Sequence, residues 1–125
     1  MKVLIVDDSR LAGRHLEEMF SEFPDIDMLG QVRDGHKAMD CIKAVKPDVV
    51  ILEPSLSAAN GFEILRLVKE GNLASVVMVL TAIPFPEYQE CCPEMVADFF
   101  FDKSREFHRV REVLADMAGS APVAG

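Results

Sequence analysis

The sequence predicts an α/β fold in which five parallel strands form one doubly wound sheet. Three observations predict it. Short runs rich in β-branched residues are apolar at consecutive positions, the pattern of strands buried on both faces. Stretches with apolar residues at helical spacing separate these runs. The two kinds of segment alternate strictly along the chain, and right-handed crossovers between parallel strands then wind helices onto both faces of the sheet. The 125 residues suffice for one such domain with a real core and are too few for two.

In chain order, Val3 to Val6 is the first strand, and Ala12, Leu16, Met19, Phe20 and Phe23 give the first helix its apolar face. Ile26 to Val32 is a weaker run that fits an edge strand, and the helix after it carries the stripe Ala38, Ile42 and Val45. Val49 to Leu52 is the third strand. Asn60 with Glu63 reads as a capping box for the third helix, whose stripe is Ile64, Leu65 and Val68 and whose stop is Gly71-Asn72. Val76 to Leu80 is the fourth strand. Pro84, Pro86 and Pro93 bracket Glu87 to Cys92, so the fourth helix is expected to be short or displaced. Val96 to Phe101 completes the sheet. Ser104 is expected to cap the last helix, with Glu106 at its positive end and Phe107, Val110, Leu114 and Met117 as its buried stripe. The domain is expected to span residues 1–118, with residues 119–125 as a flexible tail.

Half the residues are apolar and 27% are charged, a globular composition, and the net charge of −8 argues against direct nucleic-acid binding. The first residues hold only a short apolar run before two acids, which is neither a signal peptide nor a membrane span. A cytoplasmic protein is expected. Cys41, Cys91 and Cys92 have no second spaced pair and no histidine at ligand spacing, which leaves a zinc site unsupported. Reduced thiols are the plain reading, and nothing favours a strained Cys91–Cys92 disulfide over ordinary packing.

In open parallel sheets, sites form at the carboxyl ends of the strands. That rule selects Asp7 and Asp8 after the first strand, Glu53 after the third, Thr81 after the fourth and Lys103 after the fifth. Any one of these residues alone would more often be a solvated loop residue. Three carboxylates in one crevice raise each other's pKa, which a divalent cation or a lysine ammonium would relieve; Mg²⁺ and Lys103 are the natural counterions.

With these residues in place, the chain resembles the receiver domain of two-component response regulators over about residues 1–117. Asp7-Asp8 resembles the family's metal-binding acids, Thr81-Ala82 its switch hydroxyl and small neighbour, Lys103 its phosphate-contacting lysine, Phe100 its aromatic switch and Gly61 the glycine that opens its third helix. The resemblance implies a flavodoxin-like sheet of order 2-1-3-4-5. It also implies phosphoryl transfer from a histidine kinase or a small donor to the residue at position 53. Asp7, Asp8, residue 53 and the Ser55 carbonyl would hold Mg²⁺, while Thr81 and Lys103 contact the phosphoryl oxygens; charge neutralisation and positioning would carry the chemistry.

The sequence departs from the family where the chemistry would occur. Position 53 is glutamate, one methylene longer than the usual aspartate. Pro54 lacks the N–H that the family turn offers to the phosphoryl group, Ser57 stands where a proline is usual, and Ser104 replaces the proline that normally follows the lysine. Three readings follow. The first is an atypical receiver acting as a protein-interaction module without aspartate phosphorylation, its Glu53 either mimicking the phosphorylated state or locking the site off. The second is a receiver still phosphorylated in the presence of Mg²⁺. The third is a Mg²⁺-dependent phosphohydrolase, which the adjacent rather than spaced acids and the missing glycine-rich loop speak against. A non-enzymatic role is expected. Its partners would be a histidine kinase or a downstream effector, and the face from the fourth to the fifth helix, with Tyr88, Met95, Phe101 and Phe107, is a candidate homodimer surface.

Other conspicuous residues have plainer readings. His15 is expected to pack at the edge of the first helix's apolar stripe, and His36 and His108 to be exposed. Of Phe99, Phe100 and Phe101, alternation along a strand requires that at least one be core.

Overall fold

The structure, a computed structural model, describes residues 1–55, 61–82, 86 and 97–118. Its elements are β1 (Lys2–Val6), α1 (Arg10–Phe20), β2 (Asp27–Val32), α2 (Gly35–Val45), β3 (Val49–Leu52), α3 (Gly61–Gly71), β4 (Val76–Thr81), β5 (Phe99–Asp102) and a last helix labelled α4 (Phe107–Ala118). The strands form one sheet in the order β2-β1-β3-β4-β5 with every pair parallel, so β2 is the edge strand its weak apolar run predicts.

Period-two alternation divides the core into two layers. Leu4, Val6, Val50, Leu52, Val77 and Val79 face Ala38 and Ile42 of α2 and Ile64, Leu65 and Val68 of α3. Val3, Ile5, Val49, Ile51, Met78, Leu80 and Phe101 face Leu16 and Phe20 of α1 and Val110 and Leu114 of α4. Each fully buried Leu, Ile or Phe in these layers contributes about 1.5–3 kcal/mol relative to exposure. The middle strands are apolar at consecutive positions because both layers draw on them.

Local chemistry sets the boundaries. Ser9 caps α1 by accepting from the Ala12 N–H at 3.2 Å. The stop predicted at Gly71-Asn72 falls where expected, with Asn72 taking the left-handed conformation at φ 52°. Three expectations shift. Ile26 belongs to a turn closed by its N–H on the Phe23 carbonyl, and the edge strand starts at Asp27. β5 begins at Phe99 because the Asp98 carboxylate, engaged by the Val77 N–H at 2.7 Å and by Lys69 at 2.8 Å, ends regular pairing there. Ser104 does not cap the last helix, which starts at Phe107. Asp102 instead organises a separate turn before the helix: its Oδ1 accepts from the N–H groups of Ser104 and Arg105, and Glu106 Oε1 reaches back to the Asp102 N–H at 3.1 Å. The Asn60 cap, the helix at Glu87 to Cys92, Tyr88, Met95 and residues 119–125 lie outside the described residues.

Candidate functional site

Strand register brings the site together. Val6 pairs with Leu52 and Leu52 with Val79, while Thr81 pairs with Asp102, so β1, β3, β4 and β5 all end at one edge of the sheet. Asp7, Glu53, Thr81 and Lys103 emerge there side by side. Asp7 and Glu53 are buried at 3% and 7% exposure, and Thr81 is fully buried. Asp8 is half-buried and Ser55 exposed.

Lys103 holds the acids. Its Nζ donates to Asp7 Oδ2 at 2.7 Å and to Glu53 Oε1 at 3.4 Å. Its backbone N–H donates to the Thr81 carbonyl at 2.9 Å, which fixes the root of the side chain to the end of β4. The following turn is also fixed: Asp102 Oδ1 accepts from the Ser104 hydroxyl at 2.7 Å and the Ser104 N–H at 2.9 Å. Those bonds hold the Asp102 carboxyl below the ordinary aspartate range, the Ser104 hydroxyl having the largest effect. The proline that the resemblance implies at position 104 could supply neither donor.

The loop after β1 has its own clamp, which the sequence reading missed. Gln31 Nε2 donates to the carbonyls of Asp7 at 2.7 Å and Ser9 at 2.8 Å, and Asp7 Oδ1 accepts from the Ser9 N–H at 2.8 Å. Gly13 makes room for this side chain, since a Cβ there would lie 1.9 Å from Gln31 Oε1. The glycine in an otherwise good helix was the available signal.

Beyond β3, Glu53 is anchored by its N–H on the Val6 carbonyl at 2.9 Å. Its Oε1 reaches Lys103, but its buried Oε2 has no hydrogen-bond partner. Pro54 is buried, and its carbonyl accepts from the Gly61 N–H at 3.1 Å. A Cβ on Gly61 would stand 2.4 Å from Pro54 Cα, so α3 starts against this turn because residue 61 has no side chain.

Magnesium requires a near-octahedral set of oxygens. The carboxylates are of the right chemistry, yet among the described residues no three His, Cys, Asp or Glu side chains surround one metal-sized position. The Lys103 ammonium lies against two of the acids instead. With Lys103 seated against Asp7 and Glu53, the arrangement suits an ammonium ion and leaves no place for a divalent one between these two acids.

Phe100 lies against the layer formed by α2 and α3, whereas Phe99 and Phe101 join the opposite layer and stack on each other with centroids 6.0 Å apart. Phe101 is the core member of the run at 2% exposure, and Phe100 is half-buried. The exposed His15 packs edge-on against Phe107, with ring centroids 5.8 Å apart, as a helix-edge residue should.

Comparison with known proteins gives concordant results. The family model described as the response regulator receiver domain matches residues 3–115. Among curated proteins, the chain is 37% identical over 79 residues to a protein-glutamate methylesterase/protein-glutamine glutaminase of Geobacillus kaustophilus, covering 63% of this chain and 23% of that protein. It is 29% identical over 133 aligned positions to the Bacillus subtilis protein of the same description, covering 100% of this chain and 37% of that protein. The chain thus spans well under half the length of these relatives. Among solved structures, the receiver domain of the response regulator NarL from Mycobacterium tuberculosis superposes with a TM-score of 0.79 at 21% identity, covering 96% of this chain and 97% of that one. The Mn²⁺-bound response regulator Rcp1 gives 0.81 at 21% identity and 99% coverage of both chains. The response regulator domain of Thermotoga maritima CheB gives 0.77 at 23% identity, covering 95% and 93%. At these identities the superpositions establish the fold alone. Among the described residues, no helix is long and apolar enough to cross a membrane.

Proposed function

The chain belongs to the response regulator receiver domain family, and from that premise we propose that it acts as an atypical receiver in two-component or phosphorelay signalling, a protein-interaction module whose output does not depend on an aspartyl phosphate. A receiver is a signalling module rather than a catalytic one, and the activity named for the longer relatives is not carried over to this segment.

The observation that supports this reading is the state of the residue at the acceptor position. Glu53 is buried, its Oε1 pairs with Lys103 at 3.4 Å, and Lys103 is already bound to Asp7 at 2.7 Å. A phosphoryl group entering here would have to take Lys103 from two carboxylates, and Pro54 offers no N–H in exchange. The extra methylene of Glu53 carries its carboxylate toward the lysine, where a phosphoryl oxygen would otherwise lie. Glu53 in this reading stands in for the phosphorylated side chain, with Thr81 and Phe100 as the switch residues that sense it.

In this reading the domain is residues 1–118 and works in the cytoplasm. Its partners are a histidine kinase or a downstream effector, and a second copy through the face expected to run from the helix at Glu87 to Cys92 to the last helix. The sequence candidates Asp7, Asp8, Glu53 and Ser55 for a metal, and Glu53, Thr81 and Lys103 for phosphoryl transfer, keep their positions at the strand ends as remnants of the family's chemistry.

The test is intact mass after incubating the wild type and Glu53→Asp with MgCl₂ and a small acyl phosphate donor. An adduct on Glu53→Asp alone supports the phosphorylation-independent reading. An adduct on the wild type overturns it in favour of a receiver still phosphorylated by a histidine kinase, a reading that the convergence of Asp7, Thr81 and Lys103 at one sheet edge favours.

A further inference from the structure

We propose that Lys103 is the resident cation of the acid site: its tethered ammonium replaces a divalent ion, so that the wild-type chain holds Asp7 and Glu53 in place without metal. This deepens the reading above by naming what neutralises the site, and it rests on that reading's view of Glu53 as a fixed group.

Asp7 and Glu53 leave adjacent strands and are buried at 3% and 7% exposure. Two carboxylates so placed need a counter-charge, because each loses its hydration and repels the other. Among the described residues, Lys103 is the one cation within ion-pair distance of either. Lysine normally gives up considerable side-chain freedom to sit in one place. Here much of that loss is met by the fold: the Lys103 N–H is bound to the Thr81 carbonyl, and the turn on its far side is closed by Asp102 and Glu106.

Glutamate at position 53 belongs to the same device. Removing one methylene would withdraw the carboxylate by about 1.5 Å and break its 3.4 Å contact with Nζ. An ion entering between Asp7 and Glu53 must first expel the ammonium. Lys103 also leaves Glu53 Oε2 without a partner, so the neutralisation is incomplete and a stronger cation would be accepted once the ammonium is gone. Weak Mg²⁺ binding in the wild type and restored binding on loss of Lys103 are the consequences.

The experiment is thermal unfolding of the full chain in chelator, in MgCl₂ and in NaCl of matched ionic strength, for the wild type, Lys103→Arg, Lys103→Met and Lys103→Met/Glu53→Gln. Methionine keeps an apolar stem in the cleft that Lys103 lines with Ala12, Ala82 and Phe107. The wild type and Lys103→Arg should melt at the same temperature in all three solutions. Lys103→Met should melt lower in chelator and recover in MgCl₂ but not in NaCl, and the double variant should lose most of that recovery. A wild-type melting temperature that rises with MgCl₂ as much as that of Lys103→Met would overturn the proposal, as would a Lys103→Met protein indistinguishable from wild type in chelator. Should Lys103→Met fail to fold, the wild type decides alone: amide NMR signals of Ser9, Glu53 and Ala82 that stay fixed on adding MgCl₂ support the proposal, and signals that move overturn it. An acyl phosphate adduct on the wild type would refute the reading of Glu53 without altering these curves, so the two failures are distinguishable.

Discussion

Gln31 and Gly13 occupy one volume between them. The Gln31 side chain fills the space a Cβ at position 13 would need, and from there its amide holds the carbonyls of Asp7 and Ser9. An edge strand and the first helix thereby share one device that sets the acidic loop.

Gly13→Ala is expected to destabilise the protein although it improves the helix. Alanine gains about 1 kcal/mol of propensity, but it displaces Gln31, which takes its donor from the part-buried Asp7 carbonyl at about 1–3 kcal/mol and leaves the Ser9 carbonyl with the residue 13 N–H alone. In a Gln31→Ala background the clash is absent, and Gly13→Ala should become stabilising by about 1 kcal/mol. Denaturant unfolding of the four proteins measures this; the same sign in both backgrounds would refute the clamp.

Gly61→Ala should be destabilising without compensation. Its Cβ would meet the Cα, C and O of Pro54 at 2.4–2.7 Å, and these backbone atoms cannot rotate away. A loss of about 1–3 kcal/mol is expected, and amide NMR should show the disturbance spreading to Glu53. A neutral substitution would mean that α3 is free to retreat from the site.

The turn carrying Lys103 should respond to acid through Asp102. Its carboxyl is held below the ordinary value of 3.8, first by the Ser104 hydroxyl and then by the Ser104 N–H. A depressed folded-state pKa adds stability that is fully present above the unfolded value and is lost as pH falls through the folded one. The turn should therefore be intact at neutral pH and loosen only below the ordinary aspartate range. Asp102→Asn should shrink this part of the acid limb, read from melting temperature against pH; an unchanged limb would contradict the assignment.

Phe101→Ala and Phe100→Ala should separate core from surface. Phe101 is buried at 2% exposure among Leu80, Val110 and Leu114, and its truncation should cost about 3–5 kcal/mol. Phe100 is half-buried and should cost clearly less. If Phe100 is a switch, its truncation should change the binding of a receiver's partner by more than its loss of stability accounts for. Equal losses from the two variants would leave position 100 as core.

Much of the fold was legible because parallel strands buried on both faces must be apolar at consecutive positions. Val49 to Leu52 and Val76 to Leu80 announced themselves in that way. The placement of the candidate site was legible for the same reason: once the strands are known, the positions of Asp7, Glu53, Thr81 and Lys103 follow from where they end. The start of the last helix was not. Ser104 is a good cap by type, but Asp102 two residues earlier takes its N–H and hydroxyl into a turn of its own. Gln31 was hidden because a polar residue in an edge strand is ordinary until the carbonyls across from it are known.

The sequence by itself determined the alternation of elements, the two-layered core and the residues at the strand ends, because periodicity and burial act on neighbours along the chain. Only the tertiary structure decided that Lys103 binds Asp7 more closely than Glu53, that Gln31 and Gly13 share one space, and that Glu53 Oε2 is buried without a partner. Those are contacts between residues as many as 96 positions apart. Their geometry depends on strand register and loop closure, which no local pattern encodes.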